Sequence, residues 1–226
     1  MREGFPVKIK KIILVLSLLA LWPAIIGIGE YILLNYEKTP GVLANAPSQW
    51  PSGTSIERHP DFMTLLMFVH PHCPCTRASI GELAILMAHC RNRLRVNVIF
   101  LKPEKFTEDW AKTDTFKMVA AIPDIKIRID EDGLEARRFG ASTSGQVLLY
   151  RADGQLLFNG GITASRGHAG DNTGRSAIES LVLKGGVEKR QTPVFGCSLM
   201  NHKINLFQEI MDLWKNRKEF CLFKQI

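Results

Sequence analysis

Two cysteines one residue apart, Cys73 and Cys75, lie in the segment best equipped for chemistry, His70-Pro71-His72-Cys73-Pro74-Cys75. An apolar run precedes this segment and a helical pattern follows it. The unpaired amides and the dipole at a helix start favour a thiolate over a thiol. Thiol-disulfide exchange needs one thiolate that attacks and a second sulfur that resolves the mixed disulfide. The spacing therefore predicts a redox pair whose sulfurs are exposed because Pro74 separates them at the helix start.

A disulfide between Cys73 and Cys75 would close a small ring. Strain in such a ring raises the reduction potential. We therefore expect the pair to be more oxidising or isomerising than reducing. The plain alternative is that two nearby cysteines only fill core space.

Metal binding is the sharper alternative. The segment supplies sulfur and imidazole ligands that suit Cu(I) or Zn, namely His70, His72, Cys73 and Cys75. His168 or Cys197 would complete such a site from a distance. Adjacent residues of a strand-to-turn segment point in different directions, which weakens this interpretation. The main prediction therefore has no cofactor, and the alternative is a copper-binding or metallochaperone module.

The other cysteines differ in their surroundings. Cys90 recurs at helical spacing with apolar residues, which indicates packing. Cys197 follows Phe195-Gly196 in a stretch without periodicity, and two roles are open for it. It is either a third redox partner for the motif or one half of a structural bridge to Cys221.

A glycine-rich loop carries Ser165-Arg166-Gly167-His168, after two apolar runs joined by Asp153-Gly154 that predict a hairpin. Loops at this point of the predicted fold approach the cysteines. Arg166 or His168 would stabilise a thiolate there. Solvated surface residues are the simpler interpretation of both.

The elements around the motif define the fold class. Residues 62–69 predict a strand, residues 76–90 a helix and residues 94–101 a second strand, which together form a parallel unit with a right-handed crossover. Asp153-Gly154 joins two apolar runs as a hairpin would. The remaining predicted elements are a helix over 107–121, a strand over 125–129, a helix over 134–139 and a helix capped at Asp171 or Asn172 that ends at Lys184. This order predicts an α/β fold of the thioredoxin type, a mixed central sheet flanked by helices.

The first part of the chain predicts a membrane anchor. Residues 12–34 are apolar enough to cross a bilayer as one helix. Lys8, Lys10 and Lys11 precede them, so the positive-inside rule leaves the N-terminus in the cytoplasm and delivers the rest to the far side. A cleaved signal peptide is the alternative, with Ala44-Asn45-Ala46 as its site. The apolar run is too long for a signal peptide, so we favour an uncleaved anchor. The anchor places the rest of the chain outside the cytoplasm, where disulfides persist.

The distribution of charge along the chain excludes nucleic acid as a partner. The net charge of +7 comes from the two ends, with +3 in residues 1–11 and +4 in residues 184–226. Nucleic-acid binding needs a clustered basic face instead.

We predict an anchor over 1–35, a linker over 36–60, a thioredoxin-like domain over 61–190 and a C-terminal extension over 191–226. An amphipathic helix in that extension contains Ile204, Phe207, Ile210, Met211 and Trp214.

Three stretches resemble the RedB group of membrane-anchored bacterial proteins, which carry a thioredoxin-like domain. They are His-Pro-His-Cys-Pro-Cys-Thr-Arg-Ala-Ser, Ala-Arg-Arg-Phe-Gly-Ala-Ser-Thr-Ser-Gly-Gln-Val-Leu-Leu-Tyr and Gly-Gly-Ile-Thr-Ala-Ser-Arg-Gly-His-Ala-Gly-Asp-Asn, and the match extends to Pro193-Val194-Phe195-Gly196-Cys197. The resemblance implies a membrane-anchored protein with a thioredoxin-like domain. From this together with the Cys-Pro-Cys motif and the predicted orientation, we expect an extracytoplasmic protein that exchanges disulfides with protein thiols. A redox-inert thioredoxin fold that docks a partner at the membrane is a further alternative.

Two departures from thioredoxins concern the mechanism. Thioredoxins space their cysteines as Cys-x-x-Cys, so aligning Pro74-Cys75 on their Pro-Cys puts Cys75 at the resolving position and His72 at the nucleophile position. A one-residue deletion instead gives Cys73 the place of the nucleophile. Gly145 occupies the position of the cis-proline that thioredoxins carry before the hairpin. Its presence argues against thioredoxin-like docking of substrates.

Overall fold

Strand β1 (Met63–Val69) lies at the centre of a five-stranded sheet in the order β3-β2-β1-β4-β5. The computed structural model describes residues 7–187 and 189–200. The other strands are β2 (Leu94–Lys102), β3 (Ile125–Glu131), β4 (Gln146–Tyr150) and β5 (Leu156–Gly161). The helices are α1 (Val7–Lys38), α2 (Thr76–His89), α3 (Asp114–Ala120), α4 (Leu134–Arg138) and α5 (Thr173–Lys184), with a 3₁₀ turn over Glu108–Trp110.

The sheet is mixed, as the order of the predicted elements requires. Strand β1 pairs in parallel with β2, and β2 pairs in parallel with β3. Strands β4 and β5 form an antiparallel hairpin that joins β1 through β4. The predicted fold class is therefore confirmed, and β1, which has a neighbour on each side, delivers its C-terminal end to the cysteine motif.

Apolar side chains fill both faces of the sheet, which explains why the central strands have hardly any polar positions. On one face the core contains Leu83 and Leu86 of α2 together with Ile178 and Leu181 of α5. The opposite face packs under α4 and contains Phe68, Phe139 and Tyr150 among others. Alternate side chains of β1 belong to each cluster, so β1 is packed on both faces.

The helix predicted over residues 107–121 is wrong as a single element. A 3₁₀ turn and helix α3 replace it, with a break at Lys112 and Thr113. The Thr113 and Thr115 hydroxyls both donate to the Pro71 carbonyl, at 3.1 and 3.0 Å. These bonds draw the chain towards the motif and interrupt the helix.

Helix α1 is longer than the apolar run from which it was predicted. It extends over Val7–Lys38, and its large apolar side chains from Ile12 to Tyr36 are exposed. By length and composition, residues Lys11–Lys38 can cross a membrane. The helix ends beside the motif, where its last turn contacts the loop that carries Arg166.

The segment predicted as a linker packs against the domain after α1 ends. Trp50 makes edge contacts with Phe139 and Tyr150, each with ring centroids 5.1 Å apart. The Tyr150 hydroxyl donates to the Pro47 carbonyl at 3.0 Å, and Ile56 is buried. Side chains on the α4 face of the sheet need a cover, and residues 39–60 provide it.

The start of the C-terminal extension also belongs to the packed domain. Gln191 pairs with Asn159 of β5, and Ser198 pairs with Thr143 before β4. Val194 and Leu199 are buried. We call residues 191–200 the strap, because they run beside β5 and across the motif. The amphipathic helix predicted from Ile204 onwards lies outside the described residues.

Candidate functional site

The cysteine motif forms the turn between β1 and α2. The Cys73 amide donates to the His70 carbonyl at 3.0 Å, and the Thr76 amide donates to the Cys73 carbonyl at 3.2 Å. Cys75 occupies the N-cap position of α2 without a capping bond from its side chain, while Pro74 is exposed. Both cysteines therefore lie at a helix start, as the sequence predicts.

The sulfurs are covered, which contradicts the expectation that Pro74 exposes them. Cys73 retains 1% of its accessible surface and Cys75 retains 8%. The strap lies over Cys73, where the Cys197 amide donates to the Cys73 sulfur at 3.3 Å. A cover that is remote in the chain leaves no trace in the local sequence.

Cys73 has the stabilised thiolate of the site. The pKa of its thiol falls to about 4, chiefly because the Cys197 thiol donates a hydrogen bond to its sulfur. Burial opposes this effect, while the Thr76 side chain and the amides of Cys197 and Thr76 add to it. Cys73 is thus a thiolate at neutral pH although almost no water reaches it.

Cys75 and Cys197 behave in the opposite way. Burial and the nearby negative charge of Cys73 raise the pKa of the Cys75 thiol. The hydrogen bond that Cys197 gives to Cys73 raises the pKa of Cys197. One thiolate thus lies beside two protonated thiols, and every cysteine of the described residues is in the reduced form.

Arg166 ties three parts of the site together. Its side chain donates to the Gly196 carbonyl at 2.8 Å and to the Tyr36 carbonyl at 3.1 Å. Its guanidinium also lies over the Tyr36 ring at 4.7 Å and hydrogen-bonds to Cys75, which lowers the pKa of that thiol against the effect of burial. Arg166, one of two loop residues predicted near the cysteines, is therefore in contact with the site.

His168, the other predicted loop residue, donates its amide to the Ser165 carbonyl at 3.3 Å. This bond closes a turn of the loop and involves the backbone alone. His168 is partly exposed. The structure therefore gives Arg166, and not His168, a described contact with a cysteine.

Ser144 is a site residue that sequence reasoning missed. Its hydroxyl accepts the His70 amide at 2.8 Å and bonds to the Thr76 hydroxyl at 2.8 Å. Its amide donates to the Cys197 carbonyl at 2.8 Å. Ser144 thereby joins the motif to the strap, and its position next to Gly145 was the one available signal.

Gly145 lies against the motif. Residues 7–187 and 189–200 contain no cis peptide bond. Its φ is +88°, and its amide donates to the Phe68 carbonyl at 2.8 Å. A side chain at this position would lie 3.1 Å from the Ser79 hydroxyl. Glycine suits both the positive φ and the close approach to α2.

The histidine rings of the motif pack around Trp110. The centroid of the Trp110 ring lies 5.5 Å from that of His70 and 4.7 Å from that of His72. His70 Nδ1 accepts the His72 amide, and His72 Nε2 donates to the Trp110 carbonyl at 3.0 Å. Among the residues that the structure describes, no group of three or more His, Cys, Asp or Glu side chains is placed to hold a metal ion.

The two remaining cysteines stand apart from this cluster. Cys90 is buried in the core beside α2, and burial raises its pKa to about 11. Its predicted packing role is confirmed. Cys221 lies outside the described residues, so a bridge from it to Cys197 stays a prediction.

A cavity of about 800 Å³ opens beside Cys197. The end of α1 and the start of the next segment form one wall, through Tyr36 and Val42. Arg137, Arg166, Met200 and Cys197 itself are among the other residues that line it. Cys197 is partly exposed there, so it is the cysteine of the cluster most accessible from outside.

Solved structures with a similar fold exist. An uncharacterized conserved protein from Geobacillus kaustophilus has a TM-score of 0.51 at 20% sequence identity, over 74% of this chain and 95% of that chain. A hypothetical protein from Sinorhizobium meliloti 1021 has a TM-score of 0.51 at 23% identity, over 73% and 96%. StoA from Bacillus subtilis has a lower TM-score of 0.41 at 14% identity, over 63% and 97%. Likeness at such identities concerns the fold alone.

No protein-family model and no curated protein sequence matches the chain. The sheet has a parallel unit first and an antiparallel hairpin second, and the cysteine motif lies at the junction of β1 and α2. These are the features by which the thioredoxin type was predicted. Residues from β1 to α5 form a thioredoxin-like domain.

Proposed function

We propose that this chain is an extracytoplasmic, membrane-anchored thiol-disulfide oxidoreductase of the RedB type that acts through its Cys-Pro-Cys motif. The observation that carries the proposal is the buried Cys73 sulfur, which accepts the Cys197 amide at 3.3 Å. Hydrogen bonds from Cys197 and Thr76 lower the pKa of its thiol. A thiolate is the form that attacks disulfides and leaves them readily. Its partners are protein thiols and disulfides.

The direction of exchange that this site favours is oxidation of substrates. Contacts that stabilise the thiolate stabilise the reduced form of the protein, which makes its disulfide a stronger oxidant. The hydrogen bonds to Cys73 act in this sense. The expected ring strain of a Cys73-Cys75 disulfide would act in the same direction.

The test is a redox titration of the full chain in detergent, equilibrated in glutathione buffers and quenched with acid before alkylation. We expect two thiols to cycle in the wild type and in Cys90→Ala, which changes only a core cysteine. Cys73→Ser should abolish the cycle. A constant thiol count across all buffers in the wild type would rule out the thiol-disulfide function and leave the copper-binding module and the redox-inert interaction protein.

The copper-binding alternative is decided on the same reduced protein by anaerobic Cu(I) titration. The rings of His70 and His72 are engaged with Trp110 and with each other. We therefore expect the wild type to bind Cu(I) no more tightly than the Cys73→Ser/Cys75→Ser variant. Tighter binding by the wild type would favour the metal function instead.

A further inference from the structure

Cys197 is held against Cys73 from two directions. The carbonyl of Cys197 accepts the Ser144 amide at 2.8 Å, and the Leu199 amide donates to the Ser142 carbonyl at 2.9 Å. On the other side the Gly196 carbonyl accepts a bond from Arg166 at 2.8 Å. The backbone at Gly196 passes so close to the Ser144 carbonyl that a side chain there would overlap it. The strap is therefore fixed with its cysteine over the motif.

This placement brings Cys197, which is 124 residues away in the chain, against the Cys73 sulfur, with the Cys197 amide 3.3 Å from that sulfur. Two cysteines held this close need only a small movement to bring their sulfurs to bonding distance. Cys75, by contrast, occupies the N-cap position of α2, and its pairing with Cys73 requires the strained small ring. Proximity and strain both favour Cys197 as the partner.

The three cysteines also differ in access. Cys73 and Cys75 are buried, whereas Cys197 faces the cavity of about 800 Å³. Thiol-disulfide exchange proceeds by attack on the sulfur that can be reached. An incoming thiolate therefore meets Cys197 before it meets either motif cysteine.

We propose that Cys73 and Cys197 form the working disulfide and that substrate thiolates attack it at the Cys197 sulfur. This inference rests on the proposed thiol-disulfide function and deepens it. It makes the strap part of the active site. Cys197 carries the mixed disulfide with a peptide or protein cysteine, and Cys73 is the leaving group.

The exchange balances in atoms and electrons. A first substrate thiolate forms a bond to the Cys197 sulfur, the Cys73–Cys197 bond breaks, and Cys73 departs as a thiolate. A second substrate thiolate then attacks the substrate sulfur and releases Cys197, which takes up the proton that the second thiol lost. The net reaction oxidises two substrate thiols to one disulfide and reduces the protein disulfide by two electrons. The proton of the first substrate thiol goes to the solvent, because Cys73 remains a thiolate.

The hydrogen bonds at Cys73 explain why Cys73 is the leaving group in the first step and Cys197 is the sulfur that is attacked. A sulfur with a low pKa leaves faster than one with a high pKa. The Thr76 side chain and amide and the strap amide all stabilise the departing Cys73 thiolate. The buried sulfur is thus the better leaving group and the accessible sulfur is the better target.

The first experiment maps the disulfide. Full-length protein in detergent is oxidised with glutathione disulfide, quenched with acid, alkylated and digested without reductant for mass spectrometry. We expect a cross-linked peptide pair that joins Cys73 to Cys197. A Cys73–Cys75 or a Cys197–Cys221 bridge as the main product would overturn the inference.

The second experiment locates the attack. Oxidised protein of the Cys75→Ser/Cys90→Ala background is mixed with a short cysteine peptide and quenched at early times. The peptide adduct should accumulate on Cys197, with Cys73 free, in about tenfold excess or more over the reverse adduct, since the buried sulfur is shielded. Equal adducts, or an excess on Cys73, would contradict attack at Cys197.

Variants separate this inference from the proposed function. Cys197→Ser and Cys197→Ala should both lose the two-thiol cycle, while Cys90→Ala keeps it. If both Cys197 variants cycle like the wild type and Cys73→Ser does not, the proposed function stands and the inference fails. Circular dichroism confirms folding, and Gly196→Ala, which displaces the strap while keeping all cysteines, should also slow formation of the Cys73–Cys197 bridge.

Discussion

At the scale of residues, the site depends on how unequal its three sulfurs are. Cys73 is a thiolate because hydrogen bonds outweigh its burial, whereas burial prevails at Cys75. Cys197 keeps its proton because Cys73 accepts the hydrogen bond. The types of these residues and the Cys-Pro-Cys spacing are visible in the sequence. The inequality comes from contacts that close only in the fold.

The ionisation of Cys73 gives the first prediction. In reduced protein, the thiolate absorbance near 240 nm should persist as the pH falls and disappear with a midpoint at about pH 4. Cys73→Ser should remove this transition, and Cys90→Ala should keep it. A midpoint at the pH of an ordinary thiol, about 8.5, would contradict the hydrogen-bonded thiolate.

The same shift has a consequence for stability. The pKa of Cys73 is lower in the folded than in the unfolded chain, so its contribution to the free energy of unfolding is complete above the unfolded pKa and is lost as the pH falls through about 4. The stability difference between reduced wild type and Cys73→Ser should therefore shrink on acidification from pH 8 to pH 4. Chemical denaturation of both proteins at several pH values measures this difference in the free energy of unfolding. A difference that grows on acidification would refute the assignment.

Arg166 gives a second prediction at this scale. Burial raises the pKa of Cys75, and Arg166 opposes that rise. Arg166→Gln should therefore move the Cys75 titration to still higher pH, as followed by NMR of labelled cysteine. Arg77→Gln, a change at an exposed arginine of α2, is the control and should leave the titration in place. An unchanged titration in Arg166→Gln would remove Arg166 from the site.

At the scale of elements, two segments outside the predicted domain complete it. Residues 39–60 cover the α4 face of the sheet, and the strap covers the motif. Both lack the periodicity of a helix or strand, and composition alone made the first of them look like a linker. Their docking depends on Trp50, Ile56, Val194 and Leu199, which are single apolar residues in irregular chain.

The covering segment can be tested by truncation. A soluble fragment over 39–226 should be more stable than one over 61–226, because the shorter fragment exposes the surface that Trp50 and Ile56 cover. Within the longer fragment, Trp50→Ala should lower the free energy of unfolding by about 3 kcal/mol. Val42→Ala, at an exposed side chain, should change it little. Equal stability of the two fragments would restore the linker interpretation.

At the scale of the whole molecule, the end of α1 reaches the redox site. The Ser165 hydroxyl donates to the Glu37 carboxylate at 3.0 Å, and the Arg166 amide donates to the Glu37 carbonyl at 3.1 Å. Tyr36 of the same turn lines the cavity beside Cys197. If α1 crosses a membrane, as proposed, the cysteines lie close to the membrane surface.

Topology is the prediction at this scale. The full chain should remain in the membrane fraction after carbonate washing, and deletion of residues 1–38 should release it. In cells of a bacterial host, protease added outside the cytoplasmic membrane should digest the domain but not an N-terminal tag, since the lysines before α1 stay inside. Protection of the domain from that protease would reverse the proposed orientation.

The sequence by itself determined the parallel unit, the hairpin, the apolar helix and the position of the cysteine motif. These follow from local periodicity and turn chemistry, which a linear chain displays. Only the tertiary structure decided that Cys197 lies on Cys73, that Arg166 reaches Cys75 and that the motif sulfurs are buried. Such contacts join residues far apart in the chain, and their geometry depends on the packing of the strap and of residues 39–60. The reactivity of the site therefore depends on contacts that no single stretch of sequence contains.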